Sequence, residues 1–210
     1  MEQLSAMLAK KISLSQGFSE EKEQVITYGL IAMIQFFSLL FIVTIIGAFF
    51  NFTYESIVIF LGVGFLRKST GGAHSSTMRG CMILSTLNIT LLAFLSRYTL
   101  MFPIKIYYCL VIYVACYLIC FYIVYTYAPL DSPNKKITSK NKISRLRKQS
   151  LILLVIYCIS NILFIIFSKY TPRCQSIANS ICLLTLWQCF TITPAGVTFI
   201  HFIDKSFNNH

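Results

Sequence analysis

Two side chains capable of covalent catalysis stand seven positions apart in the first half of the chain. His74 follows two consecutive glycines, and Cys81 begins the next apolar segment. A cysteine attacks a carbonyl carbon as its thiolate, and a nearby imidazole can accept the thiol proton. Imidazole suits this task because its unperturbed pKa lies close to the pH of the cytoplasm. The two residues therefore predict a cysteine–histidine dyad, unless they are neighbours by chance.

The spacing of the two residues sets a condition on the backbone between them. Seven residues of continuous helix return to nearly the same face but rise about 10.5 Å, whereas a hydrogen bond between the side chains needs about 3 Å. We therefore expect the intervening segment not to be one straight helix. Gly71 and Gly72 can supply the unusual backbone angles of a turn that folds His74 back over the start of a helix headed by Gly80 and Cys81. A cysteine at a helix N-terminus also gains thiolate stabilisation from the helix dipole.

Basic side chains flank the predicted dyad. Arg67 and Arg79 would favour anionic species nearby, and an oxyanion could be held by Arg67 or by backbone N–H groups near Gly80 and Cys81. The residues leave the choice between these donors open. No metal is expected, because one histidine and one cysteine fall short of the three or four ligands of a zinc site and no carboxylate lies close in sequence. No other cofactor is expected either.

The elements that must position these residues are apolar. Of the 210 residues, 56% are hydrophobic and 12% are charged, whereas soluble domains carry about 25% charged residues. This composition excludes a soluble enzyme, a disordered tail and a nucleic-acid-binding domain, and it calls for a lipid bilayer as the solvent. At about 20 residues per helical span, the chain has room for five or six spans.

The apolar segments predict an all-α fold, a polytopic integral membrane helical bundle of about six spans. One span, 52–66, is expected to be short or re-entrant, and Pro194 and Gly196 are expected to kink the last span. The predicted spans lie at residues 28–50, 52–66, 81–96, 106–127, 150–168 and 177–203. The predicted domains are an amphipathic N-terminal segment on the membrane surface (1–27), a transmembrane catalytic domain (28–203) and a C-terminal tail (204–210).

The formal net charge of +11 is concentrated between the apolar segments. The loop 128–149 carries seven lysines and arginines, and such an excess of cations marks a cytoplasmic loop. Counting spans back from this loop places the segment 67–81 in the cytoplasm as well. A second use of these cations is the attraction of an acidic peptide substrate, for which Lys135 and Lys136 are the candidate residues.

Arg67, the run Gly71-Gly72-Ala73-His74 and Cys81 together resemble the signature of the accessory gene regulator B (AgrB) family. These proteins are bacterial membrane endopeptidases that process quorum-sensing propeptides. The segment 128–136 is similar to the one that precedes the family's basic loop, and the length and charge layout agree along nearly the whole chain. The resemblance implies that His74 and Cys81 are catalytic and that Arg67 and Gly72 accompany them.

The same resemblance implies a thiol protease of the cell membrane that acts on an AgrD-type propeptide. Cleavage on the C-terminal side of the future ring would leave a thioester between the propeptide fragment and the enzyme cysteine. An internal cysteine or serine of the propeptide would then close a thiolactone or lactone ring. Membrane lipids are expected partners, nucleic acid is not, and a homodimer is compatible with the resemblance.

Two other functions remain open from the residues alone. A transporter or permease would perform no covalent chemistry, and a scaffold protein would use neither His74 nor Cys81. Transport sites usually contain ionisable residues within the membrane, but the clearly apolar spans contain no Asp, Glu, Lys or Arg.

Overall fold

The computed structural model describes residues 2–73, 77–101, 105–130 and 139–208. Three of the predicted site residues, His74, Lys135 and Lys136, lie outside the described residues. The described segments are almost entirely helical, which confirms the all-α prediction. The helices are α1 (Glu2–Gln16), α2 (Glu20–Phe49), α3 (Thr53–Thr70), α4 (Met78–Tyr98), α5 (Ile106–Tyr127), α6 (Lys140–Phe167), α7 (Pro172–Thr191) and α8 (Pro194–Asn208). A 3-10 turn, Thr99–Met101, follows α4.

The chain divides into two units, 1–42 and 43–210, with the boundary inside α2. In the first unit, α1 is the helix that the apolar spacing of the N-terminal segment predicts. Leu4, Met7 and Ile12 on this helix are exposed, and the helix ends before Gly17, which has a φ of +64°. The helix α2 then begins at Glu20, eight residues before the apolar run starts at Tyr28.

Four helices among the described residues are long and apolar enough to cross a membrane, namely α2, α4, α5 and α6. The pair α7 and α8 gives a fifth only if both are counted as one broken span. The helix α3, which corresponds to the span 52–66 that was expected to be short or re-entrant, is not among the helices that could cross a membrane. Its charged residues Glu55, Arg67 and Lys68 explain this result.

The last apolar segment is broken rather than merely kinked. We expected a single span over 177–203, but α7 ends at Thr191 and α8 runs at 86° to it. Pro194 lacks an N–H group and cannot continue α7. The hydroxyl of Thr193 accepts a hydrogen bond from the N–H of Gly196 at 3.1 Å and so caps the new helix. A Cβ on Gly196 would lie only 2.0 Å from the carbonyl oxygen of Phe190, so the tight bend requires glycine.

Within the second unit, α7 is the central helix, and α3, α4, α5 and α6 pack against it. The small polar residues of α7 can be buried at these contacts because their hydroxyls are hydrogen-bonded within the helix. Ser180 donates to the carbonyl of Ser176 at 2.9 Å, and Thr185 donates to that of Ile181 at 2.7 Å. An apolar cluster lies beneath the end of the bundle that holds the predicted site. It consists of Leu66, Cys120, Val124, Ala128, Leu154, Cys189 and Ile192.

The opposite end of the bundle buries a carboxylate. Glu55 is 1% exposed, accepts a hydrogen bond from the hydroxyl of Ser176 and lies 3.6 Å from the guanidinium of Arg97. These contacts join the start of α3 to the end of α4 and the start of α7. They show that α3 and α4 are antiparallel, whereas α3 and α7 are parallel. The ends of α3 and α7 and the start of α4 therefore meet at the other end, where the predicted site lies.

Candidate active site

The helix α3 ends in a turn built from two glycines. Gly71 has φ and ψ angles of 71° and −151°, and its N–H donates to the carbonyl of Arg67 at 2.9 Å. Gly72 has a φ of 143°. Such angles are reached almost exclusively by glycine. The prediction that the segment is not one straight helix is confirmed, since α3 ends at Thr70 and α4 begins at Met78. The predicted turn that folds His74 back over the start of α4 runs through residues outside the described part of the chain.

Cys81 lies in the first turn of α4. The hydroxyl of Thr77 accepts a hydrogen bond from the N–H of Gly80 at 3.1 Å and caps the helix, which begins at Met78 rather than at Gly80. The N–H of Cys81 donates to the carbonyl of Thr77 at 3.0 Å. Both backbone donors proposed for an oxyanion are therefore engaged within the helix. The thiol of Cys81 is free and partly exposed.

Arg67 is the remaining candidate donor, and it belongs to the same site as Cys81. Burial lowers the pKa of its guanidinium below the ordinary value, while the charge of nearby Cys81 acts in the opposite direction. Its Nη2 donates to the carbonyl of Ala73, the last described residue before His74. Its Nε is buried and has no hydrogen-bond partner within the described part of the chain. Arg67 therefore donates a hydrogen bond to the residue after the two glycines, and its charge lies near Cys81.

The segment that follows α5 pairs with the glycine turn. Gly71 and Leu130 form an isolated parallel β-bridge, in which the N–H of Leu130 donates to the carbonyl of Thr70 at 2.8 Å. The Nε of Arg147, on α6, donates to the carbonyl of Ala128 at 2.8 Å. The two sequence segments on which the family resemblance depends are therefore adjacent in space.

The end of α7 contributes two residues that the sequence analysis missed. The Nε2 of Gln188 donates to the hydroxyl of Thr70 at 2.9 Å and to the carbonyl of Gly71 at 2.8 Å. The carbonyl of Thr191 lies 3.5 Å from the N–H of Ala73. A glutamine inside an apolar span is a signal that could have identified the first of them, because buried polar groups in membrane helices need partners.

The structure thus brings Arg67, Gly71, Gly72 and Cys81 together at one end of the bundle. Arg79 is exposed in the first turn of α4. Cations are abundant at this end of the bundle, where the described residues include Arg67, Lys68, Arg79, Lys140, Lys142, Arg145, Arg147 and Lys148. Within the described residues, no group of three or more His, Cys, Asp or Glu side chains could hold a metal ion.

These features define a multi-pass α-helical membrane protein with a polar, cation-rich site at one end of its bundle. The chain belongs to the accessory gene regulator B family, because the family's sequence model matches residues 2–192. An AgrB-like protein of Clostridium perfringens strain SM101 is 35% identical over 215 residues, covering 100% of this chain and 98% of the relative. AgrB-like protein 2 of strain 13 is 32% identical over 213 residues, with the same coverage. No solved structure matches the chain. Family membership associates the protein with the processing of quorum-sensing peptides.

Proposed function

We propose that this protein is a membrane cysteine endopeptidase that cleaves an AgrD-type propeptide and prepares the N-terminal fragment for cyclisation. The proposal is supported by one observation above all. Arg67, the Gly71-Gly72 turn and Cys81 are distant in sequence from Leu130 and Gln188, yet all of them converge on one end of the bundle. A scaffold protein would have no need for a free thiol beside a buried guanidinium.

The proposed reaction has two acyl-transfer steps. His74 accepts the proton of the Cys81 thiol, and the sulfur attacks the scissile carbonyl carbon to form an S–C bond. The C–N bond then breaks, and the imidazolium donates its proton to the leaving amine. An internal thiol or hydroxyl of the propeptide next attacks the thioester, loses its proton to His74 and releases the Cys81 sulfur, which regains a proton. A thiolactone or lactone ring results.

Arg67 is the residue that we assign to the developing oxyanion. Its Nε is a buried donor without a partner among the described residues, whereas the N–H groups of Gly80 and Cys81 are already bonded within α4. A donor fixed in a site of low dielectric stabilises a developing negative charge without reorganisation. The guanidinium also lies near Cys81.

We place the site on the cytoplasmic side of the membrane. The cations of the site end, among them the first residues of α6, follow the rule that cytoplasmic loops are enriched in Lys and Arg. The opposite end carries Arg97, Lys105, Lys169 and Arg173 among the described residues of the second unit. We further assign Lys135 and Lys136 to binding of an acidic propeptide tail.

The test of the nucleophile is co-expression of the protein with an AgrD-type propeptide encoded beside it. Cleavage should be abolished by Cys81→Ala and by His74→Ala. The matched control is Cys174→Ala, which removes a partly exposed free thiol near the start of α7, at the other end of the bundle. Mass spectrometry of the propeptide fragments and immunoblots of the membrane fraction give the readouts. Undiminished cleavage by Cys81→Ala would refute the mechanism.

The role of the basic loop has a separate test. The double variant Lys135→Glu/Lys136→Glu should weaken propeptide cleavage by raising KM, while its amount in the membrane stays unchanged. Reversal of Lys169, an exposed cation after α6 at the opposite end, serves as the control. Cleavage equal to that of the control variant would show that the loop only sets the membrane topology.

A further inference from the structure

The last turn of α7 holds the glycine turn in place through one buried amide. Gln188 is completely buried, and its neighbours Cys189 and Ile192 belong to the apolar cluster below the site. Burying a primary amide among apolar groups is unfavourable unless its polar atoms are bonded. The Nε2 of Gln188 uses both of its protons, one on the hydroxyl of Thr70 and one on the carbonyl of Gly71, whereas its buried Oε1 has no hydrogen-bond partner among the described residues.

The next residue of the turn fits closely against the same helix. A Cβ on Gly72 would lie 3.2 Å from the hydroxyl of Thr191 and 3.3 Å from the Nε2 of Gln188. Only a hydrogen atom is accommodated there without displacement of these side chains. Gly72 is thus in contact with two side chains of α7 that are three positions apart and therefore on one helix face.

Both backbone polar groups of Ala73 also have hydrogen-bond partners. The N–H of Ala73 points to the carbonyl of Thr191, and the carbonyl of Ala73 accepts from Arg67. The backbone from Thr70 to Ala73 is therefore held by α7 on one side and by Arg67 on the other. These contacts hold the described backbone up to Ala73, the residue that directly precedes His74 in the sequence.

We infer that Gln188 is a positioning residue, which fixes the Gly71-Gly72 turn so that His74 reaches Cys81. This inference rests on the dyad assigned under the proposed function. Displacement of a reacting group by about 1 Å can reduce a rate about 100-fold. Loss of the two hydrogen bonds of Gln188 should therefore lower turnover without removing any group that touches the propeptide.

The variant that tests this inference is Gln188→Met, which keeps the side-chain volume and removes both donors. The control is Gln175→Met on the same helix, where Gln175 lines a cavity of about 190 Å³ near the far end. We expect kcat for propeptide cleavage to fall roughly 10- to 100-fold in Gln188→Met with KM within about twofold. The control variant should retain the parent kcat.

A second readout needs no propeptide. Alkylation of Cys81 by iodoacetamide, followed by mass spectrometry of its peptide, reports how the imidazole assists formation of the thiolate. The pH profile of this reaction in Gln188→Met should move towards the profile of His74→Ala. A parent-like profile and a parent-like kcat in Gln188→Met would overturn the inference. If His74→Ala itself leaves the profile unchanged, it is the dyad of the proposed function that fails.

A further variant distinguishes the loss of positioning by Gln188 from a folding defect. Gln188→Glu keeps the shape of the side chain but replaces the donors by acceptors, so it should reproduce the fall in kcat. If both substitutions at position 188 prevent accumulation in the membrane while Gln175→Met accumulates normally, Gln188 has a structural role only and the inference is wrong.

Discussion

Replacement of Gly71 by alanine tests how the two halves of the site are joined. The new Cβ would lie 2.2 Å from the carbonyl oxygen of Leu130, a backbone atom that no side-chain rotation can move away. The backbone angles of Gly71 also place an L-residue in a region that costs about 1–3 kcal/mol. Relief of the clash separates the segments and weakens the hydrogen bond from Leu130 to Thr70 and that from Gln188 to Gly71. At about 1 kcal/mol for each hydrogen bond, the expected total loss of stability is about 3–5 kcal/mol.

The assay is reversible unfolding in mixed micelles by titration with sodium dodecyl sulfate, followed by far-ultraviolet circular dichroism. Gly64→Ala is the matched control, because it lies in α3 and a Cβ there would meet no atom within 4 Å. In a helix interior, this control should be neutral or stabilising by up to about 1 kcal/mol. Propeptide cleavage should be lost in Gly71→Ala and retained in Gly64→Ala.

A difference of less than about 1 kcal/mol between the free energies of unfolding of Gly71→Ala and Gly64→Ala would refute this prediction. Such a difference is smaller than the lower bound of the combined strain and hydrogen-bond losses. Such a result would mean that the segment after α5 moves freely away from the glycine turn. The bridge between Gly71 and Leu130 would then contribute nothing to holding the site together.

Three further predictions concern elements around the site. Arg147→Met should destabilise the protein by about 1–2 kcal/mol through loss of its hydrogen bond to the segment after α5, whereas exposed Lys148→Met should have little effect in the same titration. Glu55→Leu should reduce stability more than Glu55→Gln, because the amide oxygen still accepts from Ser176; equal losses would contradict this reason. Trp187, the single tryptophan, lies four residues before α7 ends, or about 6 Å along the helix. Lipids brominated near the headgroup should quench its fluorescence more than lipids brominated mid-chain. The opposite order would place the break after α7 inside the bilayer and would show that α7 and α8 cross the membrane together.

The parts of the site that local chemistry determines were predictable from the sequence. Two adjacent glycines and a cysteine seven residues after the histidine required a break in the helix and a new helix after it, and both are present. The helix α4 begins at Met78 and not at the expected Gly80, because the hydroxyl of Thr77 caps the helix at an earlier residue. The positions of Cys81 and Arg67 relative to each other follow from the antiparallel packing of α3 and α4, which the short connection between them favours.

The long-range part of the site could not be predicted in the same way. The contact of Gly71 with Leu130 spans 59 positions, and that with Gln188 spans 117. No local pattern encodes such pairs, since they depend on how α5 and α7 pack beside α3. The break between α7 and α8 was only partly predictable. Pro194 and Gly196 indicated a kink, but the angle of 86° depends on the close approach of Gly196 to Phe190.

The attachment of Leu130 to the glycine turn has a consequence for the length of the peptides that the protein accepts. Leu130 belongs to the basic loop 128–149 and is bonded to the glycine turn, so one point of this loop is held next to the turn that precedes His74 in the sequence. If that loop binds the acidic end of a peptide, the distance between this end and the site is constant. Insertion of residues between the acidic end and the scissile bond should then shift the position of the cut along the peptide instead of slowing it.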